Sequence, residues 1–160
     1  MRVFLFLSLL CYSIIGSAQM NNDRLEQLLS EQVDSIVGIP GRWQATYKEQ
    51  PLIILTDETN DRMRIITPVA EVESLDETML LNCLTANFHT ALDVKYAISN
   101  DLLWCVFIHP LGDLTEKQLS SAIQQVYSGA ITFGTTYSST ELLFGGSNSE
   151  EKPKPKLKKT

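Results

Sequence analysis

The sequence predicts an α+β domain: an antiparallel sheet with packed helices, in the order α-β-β-β-α-β-β-α. Three observations carry that expectation. Apolar residues recur at helical spacing in three separate stretches, each opened by a capping-box-like start. Five short runs between them alternate apolar with polar residues or are apolar throughout. Hairpin-like connections predominate, so neighbouring strands pair antiparallel and the helices cover the sheet.

Asp23 with Glu26 opens the first helix, and Leu25, Leu28, Leu29, Val33 and Ile36 form its stripe. Gly38-Ile39-Pro40-Gly41 stops it. In "RWQATYK", Trp43, Ala45 and Tyr47 alternate with Arg42, Gln44, Thr46 and Lys48, the pattern of a half-buried strand. "PLIILT" is a second, more apolar strand, and a polar turn leads to "RMRIIT", with Pro68 near its end, where a lost ladder donor matters less. Ser74-Leu75-Asp76-Glu77 opens the second helix, "LLNCLTANFH" within it. On a helical projection Leu80, Leu81, Leu84, Phe88, Ala91 and Leu92 fall in one stripe about 120° wide, the width of a core-facing side. Cys83 and Asn87 lie along one flank of that stripe. "LDVKYAIS" and "DLLWCVFIH" form a hairpin through Ser99-Asn100-Asp101, which lacks the glycine that tight turns favour. Thr115 with Gln118 caps the last helix, whose stripe is Leu119, Ala122, Ile123, Val126 and Ala130. "TYSSTELLF" after it reads as either a short strand or a docked extension.

The strand "DLLWCVFIH" is apolar on both faces. Leu102, Trp104, Val106 and Ile108 point one way; Leu103, Cys105, Phe107 and His109 point the other. An antiparallel sheet usually leaves one face to water. The second face therefore meets a helix, a second subunit or a client, or the strand is central and covered on both sides by its own chain. Leu103, Cys105 and Phe107, with Asn87 beside them, are the candidate partner-binding or dimer face. An amide such as Asn87 next to a buried stripe needs partners: it either caps an edge of the sheet or sits at an interface.

Cys83 and His89 raise the question of a thiol nucleophile and its base. On one helix they are about 120° apart around the axis and ~9 Å apart along it, whereas a nucleophile and base lie within about 3 Å. The local pair is excluded as a dyad. Two cysteines remain in 19–146, Cys83 and Cys105, and an even count permits one disulfide in an oxidising compartment. The cysteines and histidines show no metal-ligand spacing, and no GxSxG, HExxH or glycine-rich phosphate loop occurs. No catalytic, cofactor-binding or metal residues are therefore assigned.

The ends differ in character from the middle. Arg2 precedes an apolar run from Val3 to Ile15, and Gly16-Ser17-Ala18 follows, the layout of a secretory signal cleaved near Ala18. The run is shorter than the ~20 residues a spanning helix needs. Leu10 before Cys11 is too large for a lipidation site. At the other end, 147–160 is rich in Lys and Pro and reads as a disordered tail. The chain carries 13 Lys+Arg and 19 Asp+Glu. Arg2 lies in 1–18, and five Lys and two Glu lie in 147–160, which leaves 7 basic and 17 acidic residues in 19–146, a net charge of about −10. An acidic body disfavours nucleic acid as partner.

The run "LLNCLTANFHTALDVKYAISNDLLWCVFIHPLGDLTEKQLSSAIQQV" resembles the class I type III secretion chaperones, the Tir-chaperone-like fold, in its helix, hairpin and helix rhythm. It is also similar to the YbjN-type sensory-transduction regulators. The matching features are Leu80, Leu81, Leu84 and Asn87, then Ala97 and Ile98, then Leu103, Trp104 and Val106, with "DRMRIITPV" as the third strand. The resemblance spans residues 22–133. It implies an acidic, non-enzymatic, often homodimeric protein that holds a partner polypeptide along apolar surface. Such chaperones act in the cytosol, whereas this chain begins with an export-like segment. The expectation is therefore a secreted or periplasmic protein-binding module, chaperone-like, with no cofactor and a protein or peptide partner, a second copy included. The alternative is an envelope accessory or signalling protein that touches an anionic surface through its Lys-rich tail.

Overall fold

A computed structural model of the chain describes residues 19–141. The expected signal segment 1–18 and the tail 147–160 lie outside the described residues. The elements are α1 (Asn22–Gln32), β1 (Ser35–Ile39), β2 (Arg42–Tyr47), β3 (Gln50–Asp57), β4 (Arg62–Glu71), α2 (Glu77–His89), β5 (Val94–Ser99), β6 (Leu102–His109) and α3 (Glu116–Ile131), with a 3-10 turn at Val72–Ser74. The fold is α+β, three helices on a six-stranded antiparallel sheet ordered β1-β2-β3-β4-β6-β5.

One strand is added to the order read from the sequence. The first helix stops at Gln32, and Val33 and Ile36, placed on its stripe, belong to the next segment. The run Ser35–Ile39 is rich in β-branched residues, which lose rotamer freedom in a helix and fit a pleated strand. It pairs with β2 through Ile36–Ala45 and Gly38–Trp43. Gly38 holds φ 149°, and a Cβ there would collide with the Arg42 carbonyl oxygen, so only glycine fits this close approach. Gly38 thus lies within a strand, and Ile39-Pro40-Gly41 turns a hairpin instead of ending a helix.

The caps sit close to where the sequence puts them. Asn21, not Asp23, caps α1 by accepting from Arg24 N, and Asp76 caps α2 by accepting from Met79 N. Thr115 and Gln118 form the full capping box of α3. The β5–β6 hairpin turns at Asn100 and Asp101 with φ 50° and 59°, a type I′-like turn made without glycine. Pro68 sits at a register shift between β4 and β6 instead of at a strand end, and β4 continues to Glu71. Pro68 still pairs with Trp104 and Val69 is the residue skipped, so the proline borders a bulge, a place where sheets tolerate it.

α1 and α3 cover one face of the sheet. Leu25, Leu28 and Leu29 of α1 and Leu119, Ile123 and Val126 of α3 pack with Trp43, Ile54, Ile65 and Phe107 into the main core. α2 packs at the β5 end of the sheet. After α3 the chain folds back as a docked extension, one of its two expected states. Phe133 and Tyr137 pack with Cys83, Ala86, Tyr96 and Leu103. Ser139 fastens this segment, donating from N to Thr90 O at 3.1 Å and from Oγ to Ala91 O at 2.7 Å.

Candidate protein-binding surface

The faces of β6 decide where a partner can lie. Leu103, Cys105 and Phe107, the expected partner face, are 2%, 0% and 5% exposed. The core claims them: Cys105 and Phe107 pack in the main cluster and Leu103 lies beneath α2 and the docked extension. They cannot receive another molecule without unfolding. The opposite face, with Leu102, Trp104 and Val106 half-buried and Ile108 exposed, is the one left uncovered.

Sheet register extends that uncovered face across the molecule. One transverse row runs Val37, Gln44, Ile53, Ile66, Val106, Lys95. The next runs Ile39, Arg42, Leu55, Arg64, Ile108, and beyond it Asp57 faces Arg62. On the other side of the first row Pro68, Trp104 and Ala97 lie in line. These residues alternate with the buried Trp43, Ala45, Leu52, Ile54, Met63 and Ile65, so their side chains leave the sheet away from α1 and α3. The result is an aliphatic centre with arginines along one end and no helix of the described residues on it.

Asn87 answers its puzzle in favour of the edge. Its Oδ1 accepts from Tyr96 N at 2.8 Å and its Nδ2 donates to Tyr96 O at 3.1 Å. One amide thereby satisfies the outward backbone pair of edge strand β5, as a neighbouring strand would. Both polar atoms of Asn87, expected at a partner-binding face, are engaged inside the chain. The other edge, β1, carries no such plug. Val37 and Ile39 are exposed there, and "SIVGI" contains none of the charges or prolines that blunt edges.

α2 is turned opposite to its expected orientation. Cys83 and Ala86 are its buried residues, while Leu81, Leu84 and Phe88 are 55%, 66% and 78% exposed. The small Cys83 and Ala86 let the helix approach β5 closely enough for Asn87 to reach Tyr96. The larger apolar residues then project outward as a ridge, with exposed Ile98 at the adjoining strand edge.

The thiols are packing groups. Cys83 and Cys105 are both buried and free in this structure. Burial pushes Cys83 up to about 11 and Cys105 up to about 12. Thiols held protonated at neutral pH are poor nucleophiles. Gly129 makes room for Cys105: a Cβ there would lie 2.6 Å from its Sγ. His89 is exposed and its ring stacks edge-on against Phe88, away from Cys83.

A hollow of about 430 Å³ opens at the Phe107–His109 end of β6 and is lined by Asp93, Lys95, His109, Gln118 and Gln125 among others. Its polar groups satisfy one another. Gln125 donates to Asp93 Oδ2 and Ser121 Oγ, and accepts from Asp93 N. Lys95 Nζ donates to the Leu92 and Val94 carbonyls. This network ties β5 to α3, as buried amides must be tied.

Sequence reasoning missed the edge strand, the helix ridge and the side of the sheet that is open. The signals existed. Val33 to Ile39 is a β-branched run, and Trp104, Val106 and Ile108 were visible as a second apolar face. Nothing in the sequence said which of the two apolar faces the helices would take.

No family model matches the chain, and no curated protein matches it. Solved structures do. The HopA1–SchA chaperone–effector complex contains a chain with TM-score 0.54 and 13% identity, covering 68% of this chain and 91% of its own. The ExsC–ExsE complex contains one with TM-score 0.54 and 15% identity, covering 69% and 92%. The Yersinia pestis type III secretion chaperone SycH, in complex with a stable fragment of YscM2, gives TM-score 0.53 and 15% identity, covering 70% and 98%. At these identities the likeness shows the fold, which is that of the type III secretion chaperones.

Proposed function

We propose that this chain is a non-enzymatic, chaperone-like protein-binding module. It holds a partner polypeptide on the open face of its sheet and along the β1 edge. It works as a homodimer joined through the Leu81, Leu84 and Phe88 ridge of α2, in the periplasm or outside the cell. The observation that carries the reading is the uncovered aliphatic centre of the sheet, opposite two helices that already complete the core. A face of this kind marks an interaction site. The similar chains bear on it through their own descriptions, a chaperone–effector complex and a secretion chaperone with a bound fragment. An open strand edge and an apolar sheet face are suited to an extended or helical segment.

The test compares co-purification from an envelope extract by the tagged protein and by an Ile66→Asp/Val106→Asp variant. A polypeptide retained in fixed ratio by the wild type and lost by the variant is expected. Identical recovery by both, or a protein that elutes alone, rejects the reading. A second reading rests on the lysine run of 152–159: contact with an anionic surface. It expects binding to anionic vesicles that disappears when 152–160 are deleted.

A further inference from the structure

We infer that the open sheet face takes an acidic amphipathic polypeptide, with aliphatic side chains on the Ile53–Ile66–Val106 centre and carboxylates against Arg42, Arg62 and Arg64. The inference rests on the protein-binding reading and names the chemistry of its partner. The charge distribution carries it. Residues 19–141 contain four arginines in an acidic body, and three of the four are on this face, at one end.

Among the described residues no carboxylate is ion-paired with these arginines, although Asp57 stands opposite Arg62 in the sheet register. Among the described residues the one ion pair is Arg24 with Glu116, on the helical side. The acids nearest the arginine end are used elsewhere: Asp57 accepts from Asn60, Glu58 from Asn22 N, and Asp61 from Gly112 N. Arg62 donates only to the backbone carbonyl of Asp61. Arginine is suited to bidentate pairing with carboxylates. Arg42 on β2 and Arg64 on β4 are two strands apart, about 10 Å at the usual strand spacing. That separation is about two helical turns, so carboxylates seven residues apart on a helix would meet both.

The same features argue against a membrane as occupant. A bilayer presents its anionic charge over the whole protein, and a body of about −10 is repelled at the range of the Debye length, about 8 Å in physiological salt. A short segment meets only the arginine-rimmed face.

Trp104 provides the readout, because it lies half-buried on the open face while the second tryptophan, Trp43, is fully buried in the core. Two synthetic amphipathic peptides of equal length and aliphatic stripe, one with glutamates seven residues apart at its margin and one with lysines there, are titrated against the purified protein. Trp104 emission and a labelled-peptide anisotropy are followed. The glutamate peptide is expected to bind at least about tenfold tighter, from two charge pairs made against two repulsions. Arg42→Glu/Arg64→Glu is expected to reverse the preference, with an unchanged circular dichroism melt because both side chains are exposed. Equal binding of the two peptides overturns the acidic chemistry and leaves the protein-binding reading standing. Silence of Trp104 with both peptides overturns the assignment of the face, while co-purification tests the broader reading independently. A Trp104 shift with phosphatidylglycerol vesicles in place of peptide, or a shift on concentrating the protein alone, gives the face to lipid or to a second copy and overturns the inference.

Discussion

Asn87 shows how much one side chain decides. Its amide occupies both outward backbone atoms of Tyr96, and Tyr96 in turn donates from its hydroxyl to Gly129 O at 2.7 Å. Asn87→Leu keeps the size and removes both bonds, leaving a partly buried donor and acceptor unpaired. A loss of about 1–3 kcal/mol is expected, read from urea unfolding. The thiols make a separate prediction. Burial raises both folded-state values, to about 11 and about 12, above the ordinary thiol range. The folded state therefore holds protons that the unfolded state releases, so this stabilisation is complete below about pH 9 and is lost as pH rises toward the folded values. Urea midpoints should fall as pH rises from about 8.5 to about 11. Cys83→Ala/Cys105→Ala should flatten that part of the slope; an unchanged slope would exclude the thiols as its cause. The sequence showed that Asn87 needed a partner, because an amide beside an apolar stripe is costly alone. It could not show which partner, because Tyr96 offers main-chain atoms, and these carry no sequence signal.

At the scale of elements, α2 is the instructive case. Its apolar stripe is real, and the helix lies where the spacing puts it. Stripe position alone implied Leu81, Leu84 and Phe88 against the sheet, but the helix seats itself through Cys83, Ala86 and Asn87. The rule that apolar residues face inward fails here because α2 meets an edge of the sheet, where close approach matters more than area. The stability consequence is direct. Leu84→Ala and Phe88→Ala should each change unfolding free energy by no more than about 0.5 kcal/mol, whereas core positions would cost about 2–5 kcal/mol. The same variants should move the protein to monomer size in sedimentation if the ridge joins two copies. Variants that stay dimeric would reject α2 as the contact. β1 gives the converse lesson. Val33 and Ile36 fit a helical period by coincidence, and pairing of Gly38 with Trp43 outweighs it. By contrast Thr115 with Gln118 placed the start of α3 correctly, since a capping box is a purely local device.

For the whole molecule, the α+β class, the three helices and five of the six strands were legible because alternation, helical spacing and caps act over short ranges. The choice of open face was not. Both sides of β6 are apolar, and only the combined placement of α1 and α3 across the other strands buries one of them. The resulting body has two unlike sides: a helical side that completes the core, and a sheet side with an aliphatic centre and arginines at one end. Its two sheet margins are unlike as well. β1 is bare, whereas β5 is occupied at Tyr96. A sheet that can be extended from both margins can propagate into a filament without limit, each added copy exposing a fresh site. Here the β5 margin is blocked at Tyr96, which leaves β1 as the open one. Two copies meeting there, or one copy and one guest strand, consume every site that growth requires, so assembly through the sheet terminates at a finite, small complex.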